Sequence, residues 1–143
     1  MTTLELAESY LHKARVRLRL LAGLRADREF SDVIRIAQEC VELALKASLR
    51  QVGVDPPKWH DVGPVLIENA HLFPEDVRPE LPGIAESSAS LRRDRELSFY
   101  GDVDFVPTRE YGDEEAQAAI AAADRAVRFA SMVIEGARYR VPR

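Results

Sequence analysis

A chain of 143 residues has the size of one domain, long enough to bury a real core. Its 46% apolar and 31% charged residues match an ordinary soluble globular protein and exclude a disordered or fibrous one. Lys and Arg total 20 against 24 Asp and Glu, a net charge of −4, so no global basic field recruits nucleic acid, although local Arg patches remain. Cys40 is the sole cysteine, which excludes an intramolecular disulfide and fits a reducing compartment. No apolar run approaches the roughly 20 residues of a membrane span, and the N-terminus carries no signal-peptide pattern. The expectation is a cytoplasmic protein with no membrane partner.

In chain order, the spacing predicts a first helix over about 3–24. Leu4, Ala7, Leu11, Ala14, Leu18 and Leu21 alternate steps of three and four, an apolar seam at heptad spacing. Thr2 or Thr3 can cap its start, and Gly23 weakens its end. His12, Lys13, Arg15, Arg17 and Arg19 fall mostly on other faces and read as a solvated basic surface.

The central helix spans about 32–49. Arg35, Gln38, Glu39, Glu42 and Lys46 trace one narrow polar stripe, and nearly everything else is apolar or small. A helix apolar over most of its girth must be covered by several neighbours. Ser31 or Asp32 is the expected N-cap, with Phe30 as a staple against the first turn. Gly53 and the Asp55-Pro56-Pro57 run stop the helix.

Asp61 can cap a short helix through about Ala70, with Pro64 tolerated in its first turn. Trp59, the only tryptophan, is expected to plug the end of the bundle. His60 reads first as a hydrogen-bonded histidine at a helix start and second as a catalytic candidate. His12, His60 and His71 lack metal-ligand spacing, so neither a metal site nor a cofactor is expected. Phe73, Pro74, Pro79 and Pro82 mark a loop with one helical turn.

A fourth helix should run over about 83–99 with thin apolar content: Ile84, Ala85, Ala89, Leu91 and Leu97. Such a helix leaves a broad face that is wet or held for a partner. The last helix starts at an Asp113 N-cap with Glu114 and Glu115 at the positive dipole end. Ala116, Ile120, Ala123, Val127, Ala130 and Ile134 repeat the three–four alternation along it. Glycines sit near helix ends, without the clustering of a phosphate-cradling loop. The expected architecture is all-α: one domain over 1–143, an antiparallel up-and-down four-helix bundle with an additional short helix.

Four blocks together resemble the HEPN domain family: AESYLHKA at 7–14, IAQECVELALKASL at 36–49, WHDVG at 59–63, and RRDRELSFYGD at 92–102 followed by Pro107 and Tyr111. The resemblance implies a HEPN-like helical bundle, commonly a homodimer. It also implies either a metal-independent ribonuclease or the toxin half of a pair with a minimal nucleotidyltransferase. The family's nuclease motif is an Arg, often followed by Asn, Asp or His, with a His further along. In the toxin group a Tyr comes shortly after that His and can be modified with AMP.

By that resemblance, Arg93-Asp94 matches the opening, Tyr100 matches the modified tyrosine, and Ser98 stands where the His belongs. Arg92, Arg93 and Arg95 are the candidate RNA- or nucleotide-phosphate ligands. Metal-free RNA cleavage needs a proton acceptor for the 2′-OH and a donor for the leaving oxygen. Imidazole supplies both near neutral pH, whereas serine does not unaided. Three readings follow: a nucleotidyltransferase partner with a degenerate motif, an active ribonuclease drawing on a histidine such as His60, or a non-catalytic dimeric scaffold. Without the resemblance, the Arg92-to-Glu96 run reads as a salt-bridged surface, Tyr100 as a rim residue and Ser98 as a small residue near a helix end.

Overall fold

The computed structural model describes residues 2–58, 61–100 and 111–139, the side chains of 95–100, 138 and 139 excepted. Among the described residues, five α-helices follow in order: α1 (Thr3–Ala26), α2 (Phe30–Gln51), α3 (Gly63–Glu68), α4 (Leu81–Tyr100) and α5 (Asp113–Ile134). Short 3₁₀ turns lie at Ala70–Leu72, Arg78–Glu80 and Gly136–Tyr139. Among the described residues there is no strand. The fold is the all-α antiparallel bundle that the periodicity predicts, with α3 as the short extra helix.

α2 is the element the others cover. It packs against α1, α4 and α5. Val33, Ile34, Ala37, Cys40, Val41, Ala44, Leu45 and Leu49 are all buried. Burial of each large apolar side chain contributes about 1.5–3 kcal/mol. The polar stripe is also largely covered. Gln38 is only 4% exposed, its amide donating to Glu42 at 2.8 Å, and Lys46 pairs with Glu42 at 3.2 Å. Cys40 is buried, and its thiol donates to the Ala14 carbonyl of α1 at 3.2 Å. Burial pushes that thiol up to about 12.

Two polar clamps fix the direction of α5 against α1. Arg25, near the end of α1, grips Asp113 at the start of α5 with contacts of 2.7 and 3.1 Å. Arg15 reaches Ser131 at 2.9 Å and also pairs with Glu135, both at the far end of α5. The helices therefore run antiparallel. The α1 seam is buried at Ala7, Leu11, Ala14 and Leu21, and partly at Leu18, whereas Leu4 in the first turn is exposed.

The helix starts differ from expectation in instructive ways. α1 has the predicted Thr2 cap, completed as a capping box in which Glu5 accepts from the Thr2 N–H. α2 begins earlier than predicted: Glu29 is the N-cap without a side-chain bond, and Phe30 and Ser31 lie inside the helix. For α5 the N-cap is Gly112, whose N–H donates to Glu115 at 3.0 Å. Asp113 instead binds Arg25 and Gln117, which, Arg25 first, hold its carboxyl down at about 2. α3 starts at Gly63 rather than at an Asp61 cap and ends at Glu68, and α4 begins two residues before Gly83. Gly23 does not end α1, which runs on to Ala26.

α1 and α2 close with the same motif. After α1, Glu29 N–H bonds the Leu24 carbonyl at 2.9 Å and Arg28 N–H bonds Arg25 at 3.0 Å. After α2, Val54 bonds Leu49 at 2.9 Å and Gly53 bonds Arg50 at 3.1 Å. Each is a Schellman turn, which requires a left-handed residue just past the cap. Gly53 meets that requirement with φ 86°, while Arg28 adopts φ 62° with a side chain attached. Arg28→Gly is therefore expected to stabilise the fold by about 0.5–1 kcal/mol, and Gly53→Ala to destabilise it by about 1 kcal/mol. Urea unfolding midpoints moving in opposite directions would check both.

Candidate functional site

The Arg-rich stretch of α4 is presented by a helix anchored at its first half. Leu81, Ile84, Ser88 and Leu91 form its buried stripe, against α2 and α3. Ser88 is a polar member of that stripe, and its hydroxyl donates to the Asp61 carboxylate at 3.0 Å. The same Asp61 oxygen accepts from the Gly63 N–H at 3.1 Å. One carboxylate thus ties the start of α3 to α4. A Cβ on Gly63 would stand 3.1 Å from the Ala85 carbonyl, so the close approach of the two helices relies on glycine here.

Beyond Leu91 the three charged neighbours separate. Arg92 is half-buried, and its charge acts on Glu42 of α2. Burial opposes ionisation of Glu42, but Gln38, Lys46 and Arg92 together hold its carboxyl below the usual range. Arg93 is exposed. Asp94 is half-buried, and burial raises its carboxyl above the ordinary value, with Arg93 partly offsetting the rise. The Asp94 backbone is held from outside the helix: buried Tyr111 donates its hydroxyl to the Asp94 carbonyl at 3.0 Å. Burial pushes the Tyr111 phenol up to about 12. Tyr111, which the family resemblance included without a role, is thus a brace on the candidate site.

Arg95, Ser98 and Tyr100 belong to α4, but their side chains lie outside the described residues. The backbone helix is continuous through Tyr100, so Arg93 and Tyr100, seven positions apart, share one helical face about 10 Å apart along the axis. Trp59, His60 and Pro107 also lie outside the described residues. Asp61, from the same WHDVG block as His60, is placed, and its role is to couple α3 with α4.

The HEPN domain family model matches residues 4–133. The chain belongs to the HEPN domain family. No curated protein matches it. The HEPN match runs from the first turn of α1 to within one residue of the end of α5, and so includes all of α4. Among the described residues, no helix of this HEPN protein is long and apolar enough to cross a membrane.

Asp94 gives the HEPN site a pH signature. A carboxyl whose folded pKa is raised above 3.8 binds its proton more tightly in the folded chain. It therefore favours the fold fully at pH below 3.8, and that contribution is lost as pH rises through the folded value. Asp94→Asn is expected to abolish this loss, so that its stability relative to the native chain grows across that interval. Denaturant midpoints measured on both proteins over the acid range would show the divergence.

Proposed function

We propose that this HEPN protein is the partner of a minimal nucleotidyltransferase in a toxin–antitoxin or nucleotide- and RNA-linked regulatory system, with a degenerate nuclease motif. The observation that carries the reading is the order of residues along α4: exposed Arg93, then Ser98 in the histidine position, then Tyr100 on the same unbroken helix. Arg93 holds a phosphate through its guanidinium fork. Without an imidazole at position 98, no group in the motif both takes the 2′-OH proton and returns one near neutral pH. Phosphate binding is retained and cleavage is not.

Tyr100 is the modification target in this reading. Its phenol oxygen attacks the α-phosphorus of ATP bound by the partner, a phosphodiester forms, and pyrophosphate leaves. The phenol proton passes to a base of the nucleotidyltransferase. The added negative charge lies against the Arg92–Arg95 segment and competes with RNA phosphates for it. The thin apolar content of α4 further supports a symmetric homodimer with α4 near the two-fold axis. Light scattering at micromolar concentration should give twice the monomer mass.

Co-expression with a minimal nucleotidyltransferase encoded beside it, followed by mass spectrometry of the Tyr100 peptide, tests the assignment. An AMP adduct that disappears in Tyr100→Phe is expected. An unmodified peptide in the presence of active partner and ATP would sink the modification. Generic RNA should be cleaved weakly or not at all by the native protein, with Ser98→His gaining activity. Robust native cleavage abolished by Arg93→Ala would overturn the degenerate-site reading.

A further inference from the structure

Between α1 and α5 lies an open groove of about 970 Å³, within the size range of small-molecule sites. None of its lining residues comes from α4, so it is distinct from the Arg93–Tyr100 segment. Leu18, Ala22, Phe30, Ile120 and Ala121 give it an apolar wall. Two of its three arginines are engaged, Arg25 with Asp113 and Arg128 with Asp124 at 2.6 Å. Arg28 differs. Its guanidinium lies 5.2 Å from the Phe30 ring centroid, and among the described residues it forms no ion pair. Its charge does reach Asp113, but that carboxylate is already bound by Arg25 and Gln117. The backbone beneath Arg28 is left-handed at φ 62°, in the turn position that Gly53 fills after α2. The groove thus carries a cation at its mouth on a backbone better suited to glycine.

We propose that this groove binds a small organic monoanion with an apolar body, a medium-chain carboxylic acid. The Arg28 fork takes the carboxylate, matching its two oxygens. The alkyl chain lies along Leu18, Ala22 and Ala121. From Asp113 to Asp124 the α5 wall runs about 16 Å, long enough to hold an extended ten-carbon chain along its length. Those two acidic rim residues disfavour a dianion, which selects a carboxylate over a phosphate monoester.

The probe is decanoate, kept below its micelle concentration, titrated into the full chain by calorimetry with backbone amide NMR. Saturable binding of one decanoate per chain is expected, with shifts centred on Ala22, Phe30 and Ala121. Arg28→Gly preserves the turn and removes the charge, and it should weaken binding at least tenfold, whereas Arg28→Lys should recover part of it. Decanol and decyl phosphate should each bind at least tenfold more weakly than decanoate. Arg93→Ala should leave the affinity unchanged, so failure here and failure of the α4 reading are separable. Non-saturable binding, equal affinity in Arg28→Gly, equal affinity for decyl phosphate, or shifts located away from the groove would each overturn the proposal.

Discussion

The long helices α1, α4 and α5 are placed by the need to cover α2. Its buried face is too wide for one neighbour, and α1, α4 and α5 divide it among them. Coverage on that scale traps charged groups as well. Glu42 and Lys46 retain only about a fifth of their side-chain exposure and Arg35 and Glu39 about a quarter to a third, and each forms an ion pair within the stripe. Arg17 of α1 joins the same network by meeting Glu39 at 3.5 Å. The polar stripe is therefore a seam between helices rather than a washed surface.

That central role has a consequence for α4. Its buried stripe against α2 and α3 runs from Leu81 to Leu91, and the charged segment follows directly after it. Asp61 fixes the early part of the helix through Ser88, and Tyr111 holds the carbonyl of Asp94. Between these two points Arg92 is half-buried in the field of Glu42, whereas the adjacent Arg93 is exposed. Adjacent residues of one type are thus sorted by position into a packing role and a solvent-facing one. Arg93 thus stands next to a backbone position held from outside its own helix.

Periodicity made the long helices legible because burial imposes it directly: the α5 repeat of Ala116, Ala123, Val127, Ala130 and Ile134 is its buried face. Helix starts were less legible because backbone routes decide them. The Schellman turn at Arg28 delivers the chain into α2 so abruptly that Ser31 and Asp32 fall inside the helix, where neither can cap it. Asp113 had cap chemistry but found a stronger partner in Arg25 from another helix, an encounter written nowhere in local sequence. The burial of Ser88 has no local signal, because the carboxylate that accepts its hydrogen bond, Asp61, is remote in sequence. The Tyr111 brace and the α1–α5 groove are likewise products of tertiary placement. For the candidate site, the motif residues were visible only through family resemblance, whereas the different surroundings of Arg92 and Arg93 needed the packed helices.

Cys40 offers a way to watch this bundle breathe. A thiol that is fully buried and bonded to the Ala14 carbonyl, with ionisation pushed to about 12, presents almost no thiolate to a neutral solution. An alkylating reagent can reach it only in molecules where α1 has separated from α2. With one cysteine in the chain, each labelled molecule reports that single opening event without ambiguity of site. The labelling rate, compared with that of an unfolded chain, is a direct clock for how often the central helix is uncovered.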